Sequence, residues 1–160
     1  MNGMTFTGEK YCNVRYDSER ARDSLRHLRS TGANWVAFVV TWYQQYSSAN
    51  EIFPVYAQAC SNRGYYIYES ATPEELTAGI NFAKGLGFKI FLKPHMDVLD
   101  DSWRGAISPS DPIEWHKDYS KYMLGYARLA EKLGVELFSI STEMNVAESQ
   151  SKIFSVFKIG

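Results

Sequence analysis

Val135-Glu136-Leu137-Phe138-Ser139-Ile140-Ser141-Thr142-Glu143 follows directly on Gly134, alternates apolar and polar side chains over the length of one strand, and ends on a carboxylate. A period of two is the mark of a strand with two unlike faces, and a glycine just before it is the usual end of a helix. The stretch therefore predicts a strand with an acid at its carboxyl tip. In parallel α/β architectures, ligands and chemistry collect at those tips, which makes Glu143 the first candidate for a reacting group. The structural alternative is a solvated loop carboxylate.

Working outward, Asp111-Pro112-Ile113-Glu114 supplies a capping side chain followed by proline at the first helical position. It predicts a helix from about Pro112 to Leu133, with Tyr119, Tyr122, Met123, Tyr126, Leu129 and Leu133 as its apolar stripe. Before it, Lys89 to Lys93 reads as a strand ended by Pro94, because proline cannot donate to a central ladder. His95-Met96-Asp97 then lies just past the tip. Thr72-Pro73-Glu74-Glu75 opens a helix to about Leu86, and Asn34 to Val40 is an almost unbroken apolar run, as in a strand covered on both faces, with Trp35 in the core. Ala21, Leu25 and Leu28 mark a helix from Asp17 or Ser18 to Ser30, and Met1 to Thr7 reads as a first strand. The segment from Thr41 to Ala71 shows no periodicity and is rich in Trp and Tyr, so it reads either as a long functional loop or as a misassigned element. Strict alternation of strand and helix implies right-handed βαβ units and a parallel sheet. The fold class is α/β, in parallel (β/α) units of the TIM-barrel type. No glycine-rich phosphate-binding pattern follows any strand, and polar and aromatic residues gather there instead.

The chain has 160 residues, 45% hydrophobic and 22% charged, with a formal net charge of −1. That is enough for one domain with a core. Without a basic run or face, nucleic acid and anionic membranes are poor partners. The longest apolar run, Trp35 to Val40, falls far short of a bilayer span, and no targeting segment is visible. Cys12 and Cys60 are the only thiols, both in expected loops; they are either a disulfide of an oxidising, extracellular setting or two separate thiols. The localisation is otherwise open.

The blocks Asn2 to Gly8, Thr31-Gly32-Ala33-Asn34-Trp35-Val36-Ala37, Thr41-Trp42-Tyr43-Gln44, Lys93-Pro94-His95-Met96-Asp97, Trp103-Arg104-Gly105 and Ser141-Thr142-Glu143, in that order, resemble the N-terminal half of the β-mannanase-like glycoside hydrolases of family 113. Those are retaining (β/α)8 enzymes whose acid/base glutamate follows strand four. The resemblance implies that Glu143 is the general acid/base and that Thr142 lies at the sugar site. Ser141 stands where the family usually has Gly, and Thr142 where the wider clan often has Asn. Retention needs a second carboxylate roughly 5 Å away to attack the anomeric carbon. In the clan it follows strand seven, and this chain ends soon after strand four. The expected organisation is thus residues 1–148 as an N-terminal half barrel and 149–160 as a divergent tail.

Around that acid, His95 and Asp97 are expected to hydrogen-bond sugar hydroxyls, the alternative being a pair that stabilises a loop. With Glu143 they also form a weak candidate for a metal site, and no cofactor or metal is expected. Trp42, Tyr43 and Trp103 are candidate stacking platforms for pyranose rings. Lys93 and Arg104 are candidates to contact sugar hydroxyls or to hold the acid in its charge state, with Asp100 or Asp101 as alternative salt-bridge partners for Arg104. The expected partner is an oligo- or polysaccharide. An unclosed parallel sheet leaves strand edges and an apolar face open, which predicts self-association, pairing with a C-terminal half barrel, or poor stability. The competing function is a non-catalytic carbohydrate-binding or structural derivative of the same fold.

Overall fold

The computed structural model describes residues 2–7, 15–56 and 68–144. Within them the order is β1 (Gly3–Phe6), α1 (Glu19–Ser30), β2 (Trp35–Gln44), α2 (Pro73–Gly85), β3 (Lys89–Val98), a single 3-10 turn (Arg104–Ala106), α3 (Pro112–Lys132) and β4 (Leu137–Phe138). The strands pair in sequence order, all parallel, as one four-stranded sheet. Cys12, Cys60 and the tail 149–160 lie outside the described residues. No helix among the described residues is long and apolar enough to cross a membrane.

Each helix begins where capping chemistry dictates. Ser18 accepts from the Ala21 N–H, Thr72 and Glu75 form a reciprocal capping box, and Asp111 accepts from the Ile113 and Glu114 N–H groups. These side chains satisfy donors that would otherwise have no intrahelical partner. Val36, Phe38 and Val40 of β2 and Ile90, Leu92, Met96 and Val98 of β3 turn one face of the sheet toward the helices. There they meet Leu25 and Leu28 of α1, Leu76, Ile80 and Ala83 of α2, and Trp115, Tyr119, Tyr122 and Met123 of α3. Trp35 is not in this core. It stands half-buried on the other face of the sheet, with the Lys89 ammonium 5.6 Å from its ring centroid.

Three strand boundaries depart from the sequence-based expectation, and they matter because they carry the candidate site. β2 continues past Val40 through Thr41-Trp42-Tyr43-Gln44, so these residues are strand and not loop. β3 runs straight through Pro94 to Val98, placing His95 and Asp97 inside the strand. Pro94 fits there because alternate residues of β3 direct their backbone groups toward β4: the Ile90 N–H bonds the Glu136 carboxylate at 2.7 Å, and the Leu92 carbonyl accepts from Ser139. Pro94 has the same parity, and β4 pairs only Phe91 and Leu92, so the missing N–H falls beyond the last ladder bond. β4 itself is only two residues long. Past Ser139 the backbone bonds side chains in place of a ladder: the Ile140 carbonyl accepts from the Tyr119 hydroxyl and the Ser141 carbonyl from Ser139 Oγ.

Candidate active site

The alternation that sends the even-numbered residues of β2 and β3 toward the helices sends the odd ones to the opposite, inner face. In register, Val39 lies beside Lys93, Thr41 beside His95 and Tyr43 beside Asp97. The carboxyl ends of these strands thus carry a row of Lys93, His95 and Asp97.

Arg104 joins that row to the carboxylate after β4. Its Nη2 donates to Asp97 Oδ2 at 2.9 Å, its Nη1 lies 3.0 Å from His95 Nδ1, and its Nε is 3.9 Å from Glu143 Oε2. The local sequence explains how the guanidinium gets there. The 3-10 turn folds Trp103 back over Gly105 so closely that a Cβ at Gly105 would lie 2.3 Å from the indole. Only glycine allows that fold-back. The buried Ile107 anchors the turn, and Ser108 N–H and Ser110 N–H bond the carbonyls of Ser47 and Ser48 in the loop after β2. The Arg104 side chain is mostly shielded from water, as is Asp97, so their ion pair is worth more than an open surface pair.

Glu143 adopts a left-handed backbone conformation, φ 59°, with 64% of its side chain open to solvent. That conformation is uncommon for a residue with a Cβ, and such outliers concentrate at functional sites. Thr142 beside it is half-buried with no hydrogen-bond partner for Oγ1. His95 also has an unpartnered nitrogen, Nε2. Burial, then the nearby Arg104 and Lys93 cations, press the His95 pKa down to about 4, so the ring is neutral near pH 7.

The candidate residues do not all converge. His95, Asp97, Arg104 and Glu143 form one connected set, with Lys93 two residues before His95 on the same face of β3 and Thr142 adjacent to Glu143 in sequence. His95 and Asp97 do not bond each other across a loop; Arg104 bridges them. Arg104 takes neither Asp100 nor Asp101 as its partner. Asp101 accepts instead from the Tyr68 hydroxyl, and that bond is the main cause holding the Tyr68 pKa up at about 12. Tyr68 in turn meets the Tyr43 ring edge-on at 5.6 Å, and the buried Tyr43 hydroxyl donates to the Glu69 carbonyl at 3.3 Å. Tyr43 is therefore a wall of the inner face, packed beneath Tyr68. Trp103 is 62% exposed at the rim. Trp42 points the other way, toward α3, where it stacks on Tyr122 at 4.7 Å and meets Tyr126 edge-on. The sheet lies between Trp42 and the connected set. The Tyr68–Asp101 pair carried no signal in the sequence beyond an aromatic and an acid in two separate loops.

Among the described residues, no group of three or more His, Cys, Asp or Glu side chains is arranged to hold a metal ion. The Arg104 guanidinium sits among His95, Asp97 and Glu143, where a cation is already supplied by the protein.

A family model matches residues 4–156, and its description is Glycoside Hydrolase Family 113. The chain belongs to glycoside hydrolase family 113. Among solved structures, a GH113 β-1,4-mannanase aligns over 96% of the chain at 27% identity with a TM-score of 0.81, using 49% of its own length. The complex structure of a GH113 β-1,4-mannanase aligns over 96% at 27% identity and a TM-score of 0.79, using 50% of its length. The GH113 β-mannanase AaManA from Alicyclobacillus acidocaldarius in complex with ManMIm aligns over 95% at 26% identity and a TM-score of 0.78, using 47% of its length. No curated protein matches the sequence. The chain thus spans about half the length of the mannanases it matches, and its four parallel strands correspond to half of a (β/α)8 barrel.

Proposed function

We propose that this family 113 chain supplies the acid/base half of a retaining site for hydrolysis of β-linked mannosides. The observation that carries the proposal is the Arg104 contact, which ties Glu143 at the end of β4 to the polar row of β3. Glu143 protonates the leaving glycosidic oxygen and then, as carboxylate, takes a proton from the water that releases the sugar. Lys93, His95, Asp97, Arg104 and Thr142 face the sugar hydroxyls, and Trp103 offers an exposed ring at the rim on which a pyranose face can rest. Tyr43 and Tyr68 wall this subsite. Asp97 is committed to Arg104, so the attacking carboxylate comes from the strand-seven side of a closed barrel.

Closure also accounts for the open edges. Met4 on β1 and Leu137 on β4 are exposed large hydrophobics, and among the described residues β1 and β4 are the two outer strands of the sheet. Strands five to eight, in a second polypeptide or a longer chain, cover them. Reduced manno-oligosaccharide hydrolysis is followed by proton NMR, with the chain alone and with strands five to eight supplied. The expected first-formed product is the β-anomer, which mutarotates later. An α-anomer formed first contradicts retention and, with it, the acid/base assignment of Glu143.

A further inference from the structure

We infer that Arg104 is a positioning residue that locks His95 in the tautomer with its proton on Nε2, making that N–H a fixed donor to an oxygen of the bound sugar. The donor half of this inference rests on the sugar-binding function proposed above; the lock does not.

The geometry leaves little freedom. A guanidinium carries only donors, so the Arg104 Nη1 that lies 3.0 Å from His95 Nδ1 must donate to a lone pair there. A ring protonated on both nitrogens would set N–H against N–H. The guanidinium cannot rotate away easily, because its neighbouring Nη2 is held by Asp97 Oδ2 at 2.9 Å. Arg104 is in turn carried by a turn whose fold depends on Gly105 lying under Trp103. The charged and titratable groups around the ring all act in the same direction or are already engaged. Lys93 on the same strand and Arg104 disfavour a cationic ring, Asp97 is bonded to Arg104, Glu143 after β4 is nearer to Arg104, and Tyr43 of β2 donates to a backbone carbonyl.

Nδ1 being an acceptor, the single proton of the neutral ring is on Nε2. That atom is buried and has no partner. Leaving a buried donor unsatisfied carries the desolvation cost of the group, so an acceptor is expected when the inner face is filled. Sugar hydroxyl and ring oxygens are the acceptors that this face would receive. The lock removes the alternative tautomer, in which Nε2 would present a lone pair and select a different hydroxyl orientation.

Long-range nitrogen–proton NMR of the chain reads the tautomer directly. The expected wild-type signature at pH 7 is an unprotonated, hydrogen-bond-accepting Nδ1 and a protonated Nε2. In Arg104→Met the two nitrogens are expected to approach the averaged signature of an unconstrained imidazole, with amide dispersion reporting that the fold is intact. Arg104→Lys, which retains a donor and a charge, should restore part of the lock. A protonated Nδ1 in the wild type, or an unchanged signature in Arg104→Met, overturns the inference. Titration with β-1,4-mannohexaose tests the donor half: the Nε2–H signal should shift on binding in the wild type. A locked ring whose Nε2–H ignores bound mannohexaose overturns the sugar contact. Absence of any mannohexaose binding counts against the proposed function, while the lock is judged from the free protein.

Discussion

With strands five to eight supplied, Glu143→Gln is expected to lower kcat on β-1,4-manno-oligosaccharides by about 10²- to 10⁴-fold, the usual contribution of a positioned general acid. At about 1.4 kcal/mol per tenfold, that is about 3 to 6 kcal/mol of lost barrier lowering. The amide keeps the shape of the carboxyl group and cannot give up a proton. The loss should depend on the leaving group. With a dinitrophenyl β-mannoside, whose phenolate departs without protonation, the bond-breaking step should be nearly spared and only the water-attack step slowed. The folded state should be unaffected, since most of the Glu143 side chain is in water and, among the described residues, its polar contact is the 3.9 Å approach to Arg104. Equal loss of kcat/KM on both substrates, or an unaltered rate on both, contradicts the acid/base role.

Trp115→Ala is expected to remove about 3 to 5 kcal/mol of stability, in the range for truncating a large buried aromatic. Trp115 is fully buried, its ring stacks on Tyr119 at 4.8 Å, and its indole Nε1 donates to Gln44 Oε1 at 2.9 Å. Gln44 stands at the end of β2 and donates through Nε2 to the Tyr46 and Ser47 carbonyls. Trp115 therefore fills the core beneath α3 and also fixes the loop that receives the segment after Arg104. Trp115→Phe keeps most of the volume and leaves Gln44 Oε1 without its donor, so it should cost about 1 to 3 kcal/mol. Urea denaturation of the three proteins measures the difference. A cost below about 1 kcal/mol for the alanine variant would contradict this placement of the indole.

The helices were legible from local chemistry: Ser18, Thr72 and Asp111 cap α1, α2 and α3 where their sequences announce it. The strands were legible as cores and not as ends. Pro94, His95 and Asp97 look like a loop in sequence, and what makes them strand is tertiary. β2 pairs along the whole length of β3, while the short β4 leaves the Pro94 side without a ladder. The same error at the end of β2 hid the difference between Trp42 and Tyr43. Read as loop, both could face a ligand. Read as strand, neighbours point to opposite faces, so Tyr43 joins the inner wall and Trp42 packs on Tyr122. Glu143, His95, Asp97 and Arg104 could each be named as polar residues at strand tips. That Arg104 would be the hub among the other three could not, because nothing in Trp103-Arg104-Gly105 states where a 3-10 turn returns in space.

Azide rescue of Glu143→Ala is the most direct test of the acid/base assignment. With strands five to eight supplied and a dinitrophenyl β-mannoside as substrate, the variant should form its glycosyl intermediate and then stall, since no base activates water. Azide needs no base and fits the space left by the deleted carboxylate. The expected result is restored turnover that rises with azide and yields the β-mannosyl azide, attack having come from the face that Glu143 occupied. No rescue, or an α-mannosyl azide, would place the acid/base elsewhere than at Glu143.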